Sequence, residues 1–185
     1  MRWHNRKTMM IPKSAPALTA LTVLCIVIVK AQQPGRAANS SPLAPPPANL
    51  AQIMKGIVYP SANVFFAAQS DDPATIKPDM KPSASPNPLT SVFGKWEAVE
   101  NSALAMAESA SLLKLPGRKC SNGVEVPLTN RNWEQFVAEL REAGLTAYRA
   151  AQSRNQEKVI DAADTVTAAC SHCHARYRQS NNRCR

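Results

Sequence analysis

Residues 153–178 of this 185-residue chain read SRNQEKVIDAADTVTAACSHCHARYR. Apolar residues recur in this stretch in steps of three and four, the spacing that places side chains on one face of an α-helix. Ser153 followed by Gln156 resembles a capping box, so we expect the helix to begin just after Ser153 and to end near Asn181. The apolar face of this predicted helix consists of Val159, Ala163, Val166, Cys170, Cys173 and Tyr177.

Two stretches upstream show the same helical spacing of apolar residues. The first one ends at Pro116-Gly117, a pair of residues that stops a helix. Its apolar stripe consists of Trp96, Val99, Ala103, Met106, Ala110 and Leu113. The stripe of the second consists of Trp133, Phe136, Val137, Leu140, Ala143, Ala147, Tyr148 and Ala151.

A further helix is predicted from Asn49 onward, but its pattern is weaker. Gly56 lowers its helical propensity and Pro60 removes a backbone donor, so we expect either a kink or two shorter helices that meet there. Residues 71–88 contain five prolines and predict a long connection to the next helix. Four helices joined by three connections predict an all-α fold, a four-helix up-down-up-down bundle over residues 49–185. The apolar face of its first helix consists of Leu50, Ile53, Ile57, Val64, Phe65 and Ala68.

The pentapeptide Cys170-Ser171-His172-Cys173-His174 lies on the predicted last helix and has the spacing that attaches a c-type haem. Two thiols one helical turn apart reach the two vinyl groups of a single porphyrin and form thioethers with them. The adjacent His174 then presents a neutral imidazole to the iron. We therefore expect one covalent haem c, attached through Cys170 and Cys173 near the C-terminus, with its iron ligated by His174.

Three other uses of these cysteines are weaker. A structural zinc site needs four ligands and usually a second pair of cysteines or histidines, which the sequence does not supply near the motif. A thioredoxin-like pair would open a helix after a strand, whereas Cys170 and Cys173 lie within a helical pattern near the end of the chain. A disulfide between the two would leave His174 without a role.

The N-terminal residues resemble an export signal. A basic leader precedes an apolar run, Ala15–Val29, which is too short for a comfortable membrane span. Small residues at Val29-Lys30-Ala31 predict cleavage after Ala31, which makes residues 1–31 a signal peptide; an uncleaved membrane anchor is the alternative. Residues 32–48 are rich in proline and predict a linker. The basic residues of the leader are Arg2, Arg6, Lys7 and Lys13.

Export agrees with haem attachment and with disulfide formation, which both suit an oxidising compartment, so we expect the protein in the periplasm. Its formal net charge is +9, but residues 32–185 contain 17 Lys and Arg against 13 Asp and Glu. No basic run is interleaved with aromatic residues, so nucleic-acid binding is disfavoured. Basic residues gather near the motif and predict a redox partner that is acidic: Arg118, Lys119, Arg176, Arg178, Arg183 and Arg185.

Four predicted helices, with Cys170-x-x-Cys173-His174-x-x-Tyr177-Arg178 on the last, resemble the class II cytochromes c, the group of cytochrome c prime and its low-spin relatives. The resemblance covers about residues 49–178. It implies a single haem in the periplasm that transfers electrons or binds a gas, and it places Arg178 close to that haem. The chain departs from the group in its long first connection, in Pro60 and in the additional Cys184.

Met54 is the predicted sixth ligand of the iron. In an up-down-up-down bundle the start of the first helix and the end of the last share one end. With a helix end near Asn181, His174 lies about 10 Å inside, and Met54 lies about 7.5 Å from the start of its own helix. Met80 falls in the long connection, Met106 lies deep on its stripe, and His172 projects from another side of the last helix.

This choice of ligand separates two functions. With His174 and Met54 both bound, the iron has no open site, which suits a carrier of single electrons. If Met54 only packs, a five-coordinate iron under an apolar wall binds nitric oxide or carbon monoxide, as in cytochrome c prime. We do not expect an enzyme, because a peroxidase needs polar groups on the distal side, where the sequence offers Leu50, Ile53 and Ile57.

Cys120 and Cys184 remain once the haem motif and the signal peptide are accounted for. The bundle brings the connection that carries Cys120 to the same end as the C-terminal tail, so we expect a disulfide between them. Its loop of about 60 residues would stabilise the domain by roughly 4 kcal/mol in the chain-entropy description. Two free thiols or a bridge between two chains are the alternatives, and a homodimer is therefore left open.

Overall fold

The computed structural model describes residues 44–178 and residue 184. The predicted signal peptide, most of the predicted linker, and Arg183 and Arg185 lie outside these residues. In the described part the fold is all-α, with an isolated bridge between Lys119 and Glu125 and no strand. No helix in this part is long and apolar enough to cross a membrane. The elements are α1 (Leu50–Ile53), a π-helix (Met54–Val58), α2 (Tyr59–Ala67), two 3-10 turns (Pro82–Ala84 and Pro88–Thr90), α3 (Lys95–Leu112), α4 (Arg131–Gln152) and α5 (Gln156–Tyr177).

Four helical segments follow one another along the chain: the first segment, which runs from α1 through the π-helix to α2 (residues 50–67), and then α3, α4 and α5. Their ends meet as an up-down-up-down bundle requires. At one end, Leu50 donates its N–H to the Lys119 carbonyl at 2.8 Å, and the Tyr177 hydroxyl donates to Asn132 Oδ1 at 2.6 Å. At the other end, Gln156 Nε2 donates to the Ala68 carbonyl at 3.1 Å. The start of the first segment, the end of α3, the start of α4 and the end of α5 therefore lie together. The predicted bundle is confirmed. We call the end at which these four termini meet the C-terminal end of the bundle.

The first segment is helical throughout, but α1 and α2 are separate α-helices joined by the π-helix that ends just before Pro60, which agrees with the predicted alternative of two shorter helices that meet there. Asn49 and Gln52 form a reciprocal capping box at its start, with hydrogen bonds of 2.8 and 2.9 Å. Because Pro60 has no N–H, the turn before it cannot close with the usual i to i−4 bond at that position. The chain instead widens into a π-helix, in which Tyr59 donates to the Met54 carbonyl five residues earlier. Met54 is the first residue of this π-helix.

Helices α3 and α4 approach each other closely at Gly144. A Cβ placed on Gly144 would lie 2.6 Å from the backbone nitrogen of Ala107, so no larger residue fits there without movement of a helix.

α3 ends at Leu112, just before Pro116-Gly117, as predicted, and Gly117 has a φ of 77°, which glycine adopts without strain.

The start of α5 differs from the sequence prediction. Asn155, and not Ser153, caps the helix by accepting a hydrogen bond from the Lys158 N–H at 3.2 Å. Ser153 closes α4 instead, with its hydroxyl donating to the Ala150 carbonyl at 2.6 Å. The side chain of Gln156 reaches the end of the first segment, where it donates to two backbone carbonyls. The predicted capping box is therefore wrong, because both of its side chains have other partners.

Two apolar clusters fill the bundle. The first cluster lies toward the start of α5 and includes Phe65, Met106, Val159 and Val166. The second lies at the C-terminal end and includes Ile53, Leu113, Trp133, Leu140 and Tyr177. The disulfide between Cys120 and Cys184 belongs to the second cluster; its two Cα atoms are 6.0 Å apart, and the predicted pairing within one chain is confirmed.

Candidate functional site

The pentapeptide Cys170–His174, the predicted site of haem attachment, lies in the last two turns of α5. Cys170 is partly buried against the first apolar cluster, and Cys173 against the second. Because residues three and four apart share a helix face, Cys170, Cys173 and His174 project to one side of α5, at the boundary between the two clusters. Both cysteines are free thiols. The two thiols and the imidazole thus lie beside each other, and all three residues are partly buried.

Burial keeps both thiols protonated. Removal from water raises the pKa of the Cys170 thiol. The pKa of the Cys173 thiol rises to about 11, first because of burial and then because negative charge at Cys170 and Glu139 opposes a thiolate. Metal ions bind the thiolate, so this environment does not favour a thiolate metal site. Within residues 44–178 and 184, no three His, Cys, Asp or Glu side chains come together in a way that could hold a metal ion. The zinc alternative therefore has no ligand set in the described part of the chain.

His174 is half-buried and its ring is neutral near pH 7. Burial lowers the pKa of the imidazole, and the nearby positive charge of Arg178 lowers it further. The carbonyl of His174 accepts a hydrogen bond from the Arg178 N–H at 3.1 Å. Among the described residues, no side chain or backbone group forms a hydrogen bond with the imidazole. A neutral ring with both nitrogens unengaged is in the form that binds a metal.

Arg178 directly follows α5 and is the last residue of the described range 44–178. Its side chain is exposed. Its charge acts on His174, so the structure places this predicted site residue next to the motif. α5 itself ends at Tyr177, about four residues before the predicted end near Asn181. His174 is therefore about 4.5 Å inside the end of its helix rather than about 10 Å.

Met54 lies at the same end of the bundle as the motif. It is half-buried against the second apolar cluster, the cluster against which Cys173 also packs. Counted from Leu50, it lies about 6 Å inside its own segment, close to the corrected depth of His174. The other two methionines in the described residues are elsewhere: Met80 is fully exposed in the long connection, and Met106 is fully buried in the first cluster.

Sequence reasoning missed the residues of α4 that face the motif. His172 Nδ1 lies 3.0 Å from Glu139 Oε2, and Gln135 Nε2 donates to the other carboxylate oxygen at 3.1 Å. His172 is thus held against α4. Glu139 lies one turn before Ala143 on α4. The sequence analysis could not find its contact with His172, because a contact between two helices leaves no spacing pattern within either helix.

The ring of Tyr177 anchors the end of α5. It meets the rings of Trp133 and Phe136 edge-on, at centroid distances of 4.9 and 6.2 Å. Its hydroxyl donates to Asn132 Oδ1 at 2.6 Å. The indole N–H of Trp133 is buried, and it has no hydrogen-bond partner among the described residues. A buried donor without an acceptor is uncommon and destabilising, so this atom is available to an acceptor that a bound group brings.

Two of the basic residues near the motif do not act as free surface charges. Arg118 is only 3% exposed, and its guanidinium donates to the carbonyls of Leu112 and Ala48. Lys119 pairs with Glu125 at 2.8 Å. Arg176 and Arg178 are exposed. The predicted basic surface is therefore smaller than the sequence indicates, because Arg118 is a structural residue that holds two backbone carbonyls.

Comparison with known proteins found no matching family model, no matching curated protein and no matching solved structure. The resemblance to the class II cytochromes c accordingly rests on the residues quoted above.

Proposed function

We propose that this chain is an exported mono-haem c-type cytochrome that carries single electrons through an iron ligated by His174 and Met54. The observation that supports it is the grouping at the C-terminal end of the bundle: two free thiols one turn apart, a half-buried imidazole beside them, and a methionine against the same apolar cluster as Cys173. When bound, the haem supplies an iron that changes between its ferric and ferrous forms.

The residues present fit a covalent haem. Protonated thiols of Cys170 and Cys173 carry the hydrogen that addition to a vinyl group requires, and their spacing of one turn matches two vinyl groups on one porphyrin edge. His174 is neutral and has no competing hydrogen bond among the described residues. The unpaired indole N–H of Trp133 is a donor of the kind that a propionate accepts.

Optical spectra of the purified protein, produced with a haem-maturation system, test the proposal. If His174 and Met54 both bind the iron, we expect low-spin ferric and ferrous spectra, and a ferrous form that does not take up carbon monoxide at neutral pH. A high-spin protein that binds carbon monoxide readily would contradict the carrier function.

A gas-binding function is the second candidate, and the surroundings of Met54 favour it. Ile53 and Val58 are buried beside it, and Leu50 and Ile57 are partly buried against the same cluster. An apolar wall of this kind admits nitric oxide or carbon monoxide to a five-coordinate iron and gives no polar group for peroxide cleavage. The carbon monoxide experiment separates this function from electron transfer.

We also propose that the redox partner is acidic and docks near Arg176. Replacement of Arg176 by Gln should slow electron exchange with an acidic partner at about 0.1 M ionic strength, where the Debye length is about 10 Å, and the difference should vanish near 1 M, where it is about 3 Å. Stopped-flow kinetics across that range measure the effect.

Arg154→Gln is the matched control, because it removes the same charge from an exposed residue in the turn between α4 and α5, at the opposite end of the bundle. If the two variants slow exchange equally, net charge and not a docking surface near the motif sets the rate.

A further inference from the structure

The connection between α3 and α4 holds both elements that carry the proposed iron ligands. On one side, Leu50 donates its N–H to the Lys119 carbonyl at 2.8 Å, and Arg118 donates to the Ala48 carbonyl. On the other side, Cys120 is bonded to Cys184, whose N–H donates to the Tyr177 carbonyl at 3.1 Å. We call the three connection residues, Arg118 to Cys120, together with Cys184, the clamp.

Three of the four clamp residues are buried, whereas the side chain of Lys119 is exposed. Cys120 and Cys184 are 2% and 4% exposed, and Arg118 is 3% exposed although it carries a charge. Arg118 has no carboxylate partner among the described residues; it instead satisfies the Leu112 carbonyl, 2.7 Å from its Nε, at the end of α3. Leu50 is the first residue of α1, where a helix leaves its N–H without an intrahelical acceptor, and Lys119 provides that acceptor.

Each clamp contact lies about one turn from a proposed ligand. Met54 is four residues after Leu50, about 6 Å along the helix, and His174 is three residues before Tyr177, about 4.5 Å. Within the described residues, direct hydrogen bonds between the first segment and α5 occur only at the opposite end, from Gln156 to the carbonyls of Ala68 and Gln69. At the C-terminal end, the clamp is therefore the bonded link between the two ligand-bearing elements.

We infer that the clamp is a positioning device that fixes the separation of Met54 and His174 and so keeps the thioether on the iron. The inference rests on the proposed His174 and Met54 ligation. A bond from Met54 competes with any external ligand, and the apparent affinity for carbon monoxide depends on the fraction of molecules in which Met54 is released. If the clamp is opened, the first segment moves relative to α5, and that fraction rises.

The test variant is Cys120→Ala with Cys184→Ala in the full haem-loaded chain. We expect about a tenfold or larger rise in carbon monoxide affinity and loss of most of the thioether-to-iron absorption band. A second measurement does not involve the iron: protection of the Leu50 amide against hydrogen exchange should fall about tenfold or more, because its acceptor belongs to the clamp. Val159→Ala is the control, since it removes buried apolar volume in the first cluster and leaves the clamp intact.

If the unmutated protein is low-spin and the double variant keeps its band, its resistance to carbon monoxide and its Leu50 protection, the inference is overturned. If the unmutated protein is already high-spin, the ligation proposal has failed, and Leu50 protection alone then judges whether the clamp docks the first segment. Should the double variant not fold, Arg118→Met takes its place, because it keeps the aliphatic part of the Arg118 side chain and removes the donor to the Ala48 carbonyl. The same two measurements are then made on this variant. Equal changes in Val159→Ala would also overturn the inference, because they would show a general loss of stability.

Discussion

A chain in which Cys170 and Cys173 are both replaced by Ala is expected to lose all covalently bound haem. Without the two thiols no thioether forms, and His174 alone holds the iron through a reversible bond. After denaturing electrophoresis, the unmutated protein should retain haem colour and the mass of one haem, and the double variant should show neither. The single variant Cys173→Ala should keep one thioether and therefore retain haem through the same procedure.

The chain offers its own matched control in the Cys120→Ala and Cys184→Ala pair. That variant also loses two cysteines, but they form the disulfide and lie outside the motif. It should retain haem through denaturation as the unmutated protein does. Haem that acidified organic solvent extracts intact from the unmutated protein would refute covalent attachment, whichever residues ligate the iron.

The helices were predictable because their apolar faces are regular. The stripes beginning at Trp96 and Trp133 correspond to α3 and α4, and Val159 to Tyr177 is the buried face of α5. The disulfide also followed from topology, since an up-down-up-down bundle leaves one place where the connection after α3 and the C-terminal tail meet. In both cases a single physical requirement, burial of one helix face or adjacency of two chain ends, determines the outcome.

Local hydrogen bonding was less predictable, because several partners compete for each donor. Pro60 predicts a missing N–H donor, but the sequence does not say how the helix accommodates it, and the structure shows a π-helix before it. Ser153 and Asn155 could each cap a helix, and the prediction chose the wrong one. Arg118 resembled a surface charge in the sequence, whereas two backbone carbonyls hold it inside the protein.

The same distinction applies to the candidate site: spacing within one helix was predictable, and contacts between helices were not. The positions of Cys170, Cys173 and His174 on one helix face follow from spacing alone. Glu139, whose charge raises the pKa of the Cys173 thiol, comes from a different helix, and its position depends on how α4 and α5 are rotated against each other. Sequence spacing within one helix contains no information on that rotation.

Replacement of Met54 by Ala is expected to open the iron. The variant should lose the weak absorption band that a thioether gives with ferric haem near the red edge of the visible spectrum. Its ferrous form should bind carbon monoxide, and its reduction potential should fall, because methionine ligation raises the potential of a haem iron. Redox titration followed by optical spectra measures all three changes.

Met106→Ala is the matched control for this variant. Met106 is fully buried in the first apolar cluster, so its removal should lower the free energy of unfolding by about 2 to 5 kcal/mol and leave the spectrum unchanged. Met54 is only half-buried, so Met54→Ala should be the less destabilising of the two and yet the one that alters the iron. Low-spin iron that persists in Met54→Ala would assign the sixth position to another residue, whereas high-spin iron in the unmutated protein would leave Met54 as a packing residue beneath an open, gas-binding site.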